Sequence, residues 1–211
     1  NMIPGEFVQC KQFITEAILN TDMKFHFERC NEIKSLSIPT RKNNNLNDEN
    51  DDEDDVKSKD TTNKKMAYSW NVLKFILHMA DISNSAKRQS ISIQWTDRVL
   101  EEFFRQGDKE REMGLLPISP LCDRNTTSRA DSQMGFINFV IRPSFEVLQR
   151  HLPYTAEFLP LIQKNYKFWE LEKKTEEEKN NNNKKTEEKD TINKEGEKEI
   201  KPGNIVTSMA A

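Results

Sequence analysis

Apolar side chains are scarce in this sequence. They make up 35% of 211 residues against 32% charged, a lean ratio for a compact domain. The shortage is local. Residues 42 to 65, "KNNNLNDENDDEDDVKSKDTTNKK", hold almost none, and Asp48 to Asp55 is acidic at every position but Asn50. Residues 171 to 203 are similar, with blocks of Lys and Glu around a run of asparagines. Neither segment can bury enough apolar surface to offset the entropy of ordering, about 1–2 kcal/mol per residue for the backbone alone. Both are expected to be disordered.

Other absences exclude whole classes. Cys10, Cys30 and Cys122 are scattered with no CxxC spacing, so reduced structural thiols in an intracellular setting are expected. No run of 18 apolar residues and no signal peptide occurs, so no membrane-spanning segment is expected. A net charge of −3, with the Lys-rich tail matched by Glu, argues against a nucleic-acid footprint. Alternating runs bounded by Asn-Gly or Asp-Gly are missing, which removes the strand signal.

Two apolar-rich blocks remain, about 1–40 and 66–170, and both carry helical periodicity. Phe7, Val8, Phe13, Ile14, Ile18, Met23, Phe25 and Phe27 fit a 3.6 repeat better than alternation, with a break at Asn20–Thr21–Asp22. "AYSWNVLKFILHMADIS" is apolar on most sides, as a central buried helix would be. Ile93, Val99, Leu100, Phe103 and Phe104 form a stripe ending near Gly107, and "GLLPISPLCDRN" is a loop by its prolines and glycine. A long helix is expected from about Thr127, kinked or divided by Pro143. A last one runs from Thr155 to Trp169. The fold class is all-α.

Four motifs then occur in order: "HMADISN", "QWTDRVLEEFFRQGDKEREMGL", "ISPLCDR" and "SQMGFINFVIRPSFE". At this order and spacing the chain resembles the C-terminal part of class I 3′,5′-cyclic nucleotide phosphodiesterase catalytic domains. "AILNTDMKFHF" resembles the helix that precedes them in that family. The resemblance covers about residues 5 to 170 apart from the insert. It implies one domain portion over 1–170, interrupted at 42–65, and a charged tail over 171–211. The asparagine-rich tracts resemble those of apicomplexan parasite members, some of which carry an upstream membrane anchor.

The resemblance implies hydrolysis of cGMP or cAMP to the 5′-monophosphate at two divalent metals, zinc and magnesium or manganese. Asp81 resembles the aspartate that completes the zinc site, a charge held at a buried helix end. Gln133 resembles the glutamine that reads the purine edge, and Phe136 the aromatic that stacks on the base. Their i, i+3 spacing places both on one helix face. Val99 resembles the aliphatic wall opposite, and Asn84 a variable position near the nucleotide. His78 is expected to be a buried structural histidine, His26 and His151 structural or surface residues, Trp95 a helix-packing residue, and "DKERE" a solvated face. The family's remaining metal ligands, in "HNxxH" and "HDxxH", have no counterpart in this chain, and neither does the general-acid histidine. No catalytic residue is therefore expected within it, and a degenerate module that binds without turnover is the competing reading. Base preference and oligomeric state are open at this point.

Overall fold

In a computed structural model the protein is described over residues 3–39 and 54–198. Among the described residues it forms seven α-helices: α1 Pro4–Leu19, α2 His26–Ser35, α3 Asp54–Asp81, α4 Gln89–Glu112, α5 Arg129–Phe136, α6 Arg142–His151 and α7 Phe158–Lys198. No strand occurs among the described residues. The expected break at Asn20–Asp22 is real. Asp22 caps a short 3₁₀ turn, Met23–Phe25, by accepting from the Lys24 amide at 2.9 Å, which redirects the chain into α2.

The core lies where α3, α6 and α7 meet. Phe75 and Met79 of α3, Phe145 and Leu148 of α6, and Ile162 and Trp169 of α7 are buried together. Ile137 and Ile141 join them from a π-helical segment, Ile137–Ile141, between α5 and α6. Pro143 explains that segment. Its ring excludes the carbonyl four residues back and it has no N–H to donate. The ladder therefore widens by one residue, and Pro143 falls in the first turn of α6. The division expected at Pro143 is thus present as a wider turn between α5 and α6.

Several expectations meet a different outcome. Residues 54–65 form the first turns of α3, and residues 171–198 continue α7, whereas both were expected to lack structure. Residues 42–53 and 199–203 lie outside the described residues. A shortage of apolar side chains forbids a core but not a helix, whose backbone bonds close locally. Lys and Glu are good helix formers, and Lys173 and Glu177 lie one turn apart at 3.9 Å. Helix α4 runs past Gly107 to Glu112. The last helix opens with a 3₁₀ turn, Pro153–Glu157, before α7 begins.

Candidate active site

Helix α3 ends at Asp81, and a 3₁₀ turn, Ser83–Ala86, follows. Ser83 Oγ donates to the Ala80 carbonyl at 2.7 Å, satisfying one of the carbonyls that a helix end leaves free. Asn84 O accepts from the Lys87 amide at 3.2 Å. The turn is pinned from α7 by Asn165, 2% exposed. Its Nδ2 donates to the carbonyls of Ser85 and Lys87, both at 2.8 Å. Asp81 itself is exposed and Asn84 half-buried. The expectation of a buried carboxylate at Asp81 is corrected here, because Asp81 is the last residue of α3 and its exposed side chain lies outside the cluster that buries Phe75 and Met79.

Gln133 is 6% exposed and its Oε1 accepts from Thr96 Oγ1 at 3.0 Å. That bond crosses from α4 to α5 and leaves the amide N–H groups as the free donors. Val99 stands one turn beyond Thr96, and Phe136 one turn beyond Gln133, so each sits beside one end of the bonded pair. Val99 is half-buried. Phe136 is also half-buried and borders an open groove of about 580 Å³ with Leu121, Ser132 and Phe139. Helix α5 starts at the Ser128 cap, whose Oγ accepts from the Asp131 amide at 3.1 Å. Arg129 holds the same end down. It pairs with Asp97 of α4 and lies 4.7 Å over the Trp169 ring of α7.

The "DKERE" stretch does more than face solvent. Glu110 accepts from both the amide and the hydroxyl of Ser119 at 2.7 Å, and these bonds hold its carboxyl below the usual range. Asp108 takes two nitrogens of Arg124 at 3.0 and 2.5 Å, and Arg111 reaches Asp123 at 3.0 Å. Together they fasten the 115–125 loop along α4. Gly107 permits the approach: a Cβ there would stand 2.0 Å from the Cys122 carbonyl oxygen. Trp95, expected to pack, is instead 46% exposed with Arg98 5.5 Å over its ring.

Residues 1–162 match the family model described as 3'5'-cyclic nucleotide phosphodiesterase. The chain belongs to that family. It is 40% identical over 148 residues to the dual specificity calcium/calmodulin-dependent 3',5'-cyclic nucleotide phosphodiesterase 1B of Bos taurus, covering 70% of this chain and 23% of that one. It is 36% identical to the 1C protein of Mus musculus, covering 70% and 17%. The fold is similar to the phosphodiesterase domain of Salpingoeca rosetta rhodopsin phosphodiesterase, with 25% identity and a TM-score of 0.69, over 86% of this chain and 50% of that one. The chain thus spans about a quarter of the length of the curated relatives it matches.

Members of this phosphodiesterase family use divalent metals. Among the described residues no three His, Cys, Asp or Glu side chains come together to hold one. Asp81 is a single exposed carboxylate. The donor set of this chain does not by itself fit a two-metal centre, which generally takes several protein ligands.

The histidines are accounted for otherwise. Ser144 Oγ donates to the Val140 carbonyl at 2.6 Å, so it accepts from His26 Nε2 at 3.1 Å. His26 then accepts at Nδ1 from His78 Nε2 at 2.8 Å. The pair joins α2, α3 and α6, and both rings are buried. Burial, with the neighbouring His78, lowers the His26 pKa to about 4. Burial also lowers that of His78, against the opposing pull of the Thr21 backbone and Asp81. His151 is buried too, 3.0 Å from the Tyr68 hydroxyl. Structural roles expected for His78, His26 and His151 agree with these contacts. No helix of the described residues is long and apolar enough to cross a membrane.

Proposed function

We propose that the protein to which this chain belongs hydrolyses 3′,5′-cyclic nucleotides to 5′-monophosphates, with this chain supplying the purine-binding side. In this reading Asp81 is one ligand of a zinc and magnesium, or manganese, pair whose other ligands lie outside the chain. Gln133 reads the base, Phe136 stacks on it, Val99 lines the opposite wall and Asn84 borders the nucleotide. The protein works inside the cell, anchored to a membrane through an upstream region, and its sequence is of the apicomplexan type.

The observation that carries the reading is the Thr96–Gln133 hydrogen bond inside a chain of this family. With its oxygen held by Thr96, the amide presents N–H donors to a ligand. Guanine O6 and adenine N1 are both acceptors but sit at neighbouring positions of the ring edge, so the fixed amide serves one purine in a given base orientation and the other when the base is turned over. The second lone pair of Oε1 accepts from guanine N1–H or the adenine amino group. Both cGMP and cAMP are substrates in this proposal, each in its own base orientation, and relatives named dual specificity support it.

A second reading is a module that binds nucleotide without turnover. The lack of a metal-holding cluster among the described residues fits this reading as well as the first. Titrating cGMP and cAMP calorimetrically into the longer protein, with and without added metal, separates the two. Metal-dependent turnover of both nucleotides supports hydrolysis. Binding with no turnover at any metal supplied leaves the second reading, and no binding of either nucleotide rejects both.

A further inference from the structure

Behind the Asp81–Asn84 turn lies a cavity of about 310 Å³. Met79, Phe145, Leu148 and Phe158 give it apolar walls, and the first three of these are buried core residues. The Ser83 and Thr155 hydroxyls on its lining are spent on their own backbone. Ser83 Oγ donates to the Ala80 carbonyl at 2.7 Å, and Thr155 Oγ1 to the Leu152 carbonyl at 2.8 Å. Nothing inside therefore calls for a polar ligand.

The mouth is different. Lys87 and Tyr154 border it, both are exposed, and Tyr154 is 70% so. Lys87 Nζ pairs with no carboxylate among the described residues. A cavity of this size is at the lower end for a small-molecule site, and it holds roughly ten groups the size of a water molecule or methylene. An apolar chain of eight to twelve carbons, about that many groups, would fill it. A cation at the rim of an apolar slot selects an occupant with an apolar body and an anionic end.

We propose that this cavity binds a single-chain amphiphile with an anionic head, a medium-chain fatty carboxylate being the simplest. The chain lies against Met79, Phe145, Leu148 and Phe158, and the carboxylate meets Lys87. Ser83 and Ala86, which also line the cavity, belong to the turn that holds Asn84 and follows Asp81. Binding itself does not depend on the proposed hydrolysis, so failure of one leaves the other standing.

The test is calorimetric titration of the full chain with decanoate, decanol and decylammonium, each below its micelle concentration. Saturable one-to-one binding is expected, with decanoate tightest and decylammonium weakest. Each methylene removed from the chain should weaken binding about fourfold. Lys87→Ala should abolish the advantage of decanoate over decanol and leave decanol unchanged, and Lys87→Glu should invert the order toward decylammonium. Ala80→Phe, on an exposed helical position lining the cavity, should weaken decanoate and decanol at least tenfold with melting unchanged. Equal binding of all three probes, or binding untouched by Ala80→Phe, would overturn the proposal. So would self-association of the chain that Ala80→Phe abolishes, since the occupant would then be a second copy.

Discussion

Thr96 Oγ1 donates to Gln133 Oε1 at 3.0 Å, joining two helices through side chains 37 residues apart in sequence. Both residues are buried, so neither partner can exchange the bond for water. Thr96→Val keeps the shape and removes the donor. In the longer protein it should weaken binding of both purines, because the amide is then free to rotate away. A buried neutral hydrogen bond contributes about 0.5–1.5 kcal/mol, or roughly 2- to 10-fold. Gln133→Ala should cost more, about 1–3 kcal/mol or 5- to 150-fold in kcat/KM. Steady-state kinetics with cGMP and cAMP check both. Unchanged constants for Gln133→Ala would remove that residue from the base site.

Gly107→Ala should destabilise the fold although alanine is the better helix former by about 1 kcal/mol. The new Cβ would meet the Cys122 carbonyl oxygen at 2.0 Å and its carbon at 2.7 Å. Backbone cannot swing aside as a long side chain can, so the loop must separate from α4. Overpacking of this kind costs about 1–3 kcal/mol. Urea unfolding of the chain measures it, and a gain in stability would mean that the loop does not lie on α4.

Asn165 gives a comparable test at the other end of the site. Asn165→Leu fills the space and leaves the Ser85 and Lys87 carbonyls without their donor. Loss of two buried hydrogen bonds with both acceptors stranded should cost about 2–4 kcal/mol. The amides of the 83–87 turn should also exchange with solvent faster than those of α6. Protection equal to wild type across the turn would show that Asn165 is not what holds it.

How much of this was legible in the sequence depended on whether the signal was periodic. The helices from Pro4 to Ser35 and from Gln89 to His151 announce themselves by apolar spacing, and Gln133 and Phe136 by motif. Thr96, one residue along from Trp95 in "QWTDRV", carries no local mark of its partner, because its bond depends on how α4 meets α5. Asn165 is equally silent: a single polar residue in α7 does not reveal two carbonyls some 80 positions earlier. The charged segments misled for a different reason. Their composition speaks to burial, while helix formation over 54–65 and 171–198 rests on local bonds and propensity. Asp81 was legible as a motif but not in its exposure, which depends on what packs over the end of α3.

Acid should weaken the fold before the carboxylates titrate. His26 has a pKa of about 4 in the folded chain against 6.5 for the free side chain, so the unfolded state binds the proton more readily. Stability from the neutral ring is complete above pH 6.5, falls as pH drops below it, and is fully lost only below about pH 4. The difference corresponds to on the order of 3 kcal/mol, about 2 of it gone by pH 5. His78 and His151 shift in the same direction through burial and steepen the slope. Urea midpoints from pH 7.5 to 5 check this, and His26→Asn should flatten the curve. A midpoint constant across that range would mean the His26–His78 pair is open to solvent.

This chain alone, Asn1 to Ala211, should not hydrolyse cyclic nucleotides. Activating water at neutral pH generally takes a metal held by about three protein ligands with one position open. Asp81 offers one exposed oxygen pair, and the three histidines that could assist are committed elsewhere. His26 and His78 are bonded to each other and buried, and His151 faces Tyr68. Among the described residues no histidine is left free to protonate a leaving 3′ oxygen. Gln133 and Phe136 can hold a base weakly without these parts, and stacking on an aromatic contributes about 1–3 kcal/mol per base. Holding the base does not move the phosphate toward cleavage. The assay is the purified chain with added zinc and magnesium and either nucleotide, followed by detection of the 5′-monophosphate. Turnover that Asp81→Ala abolishes would refute the claim, since it would mean that ligands within this chain converge on Asp81 when metal is present.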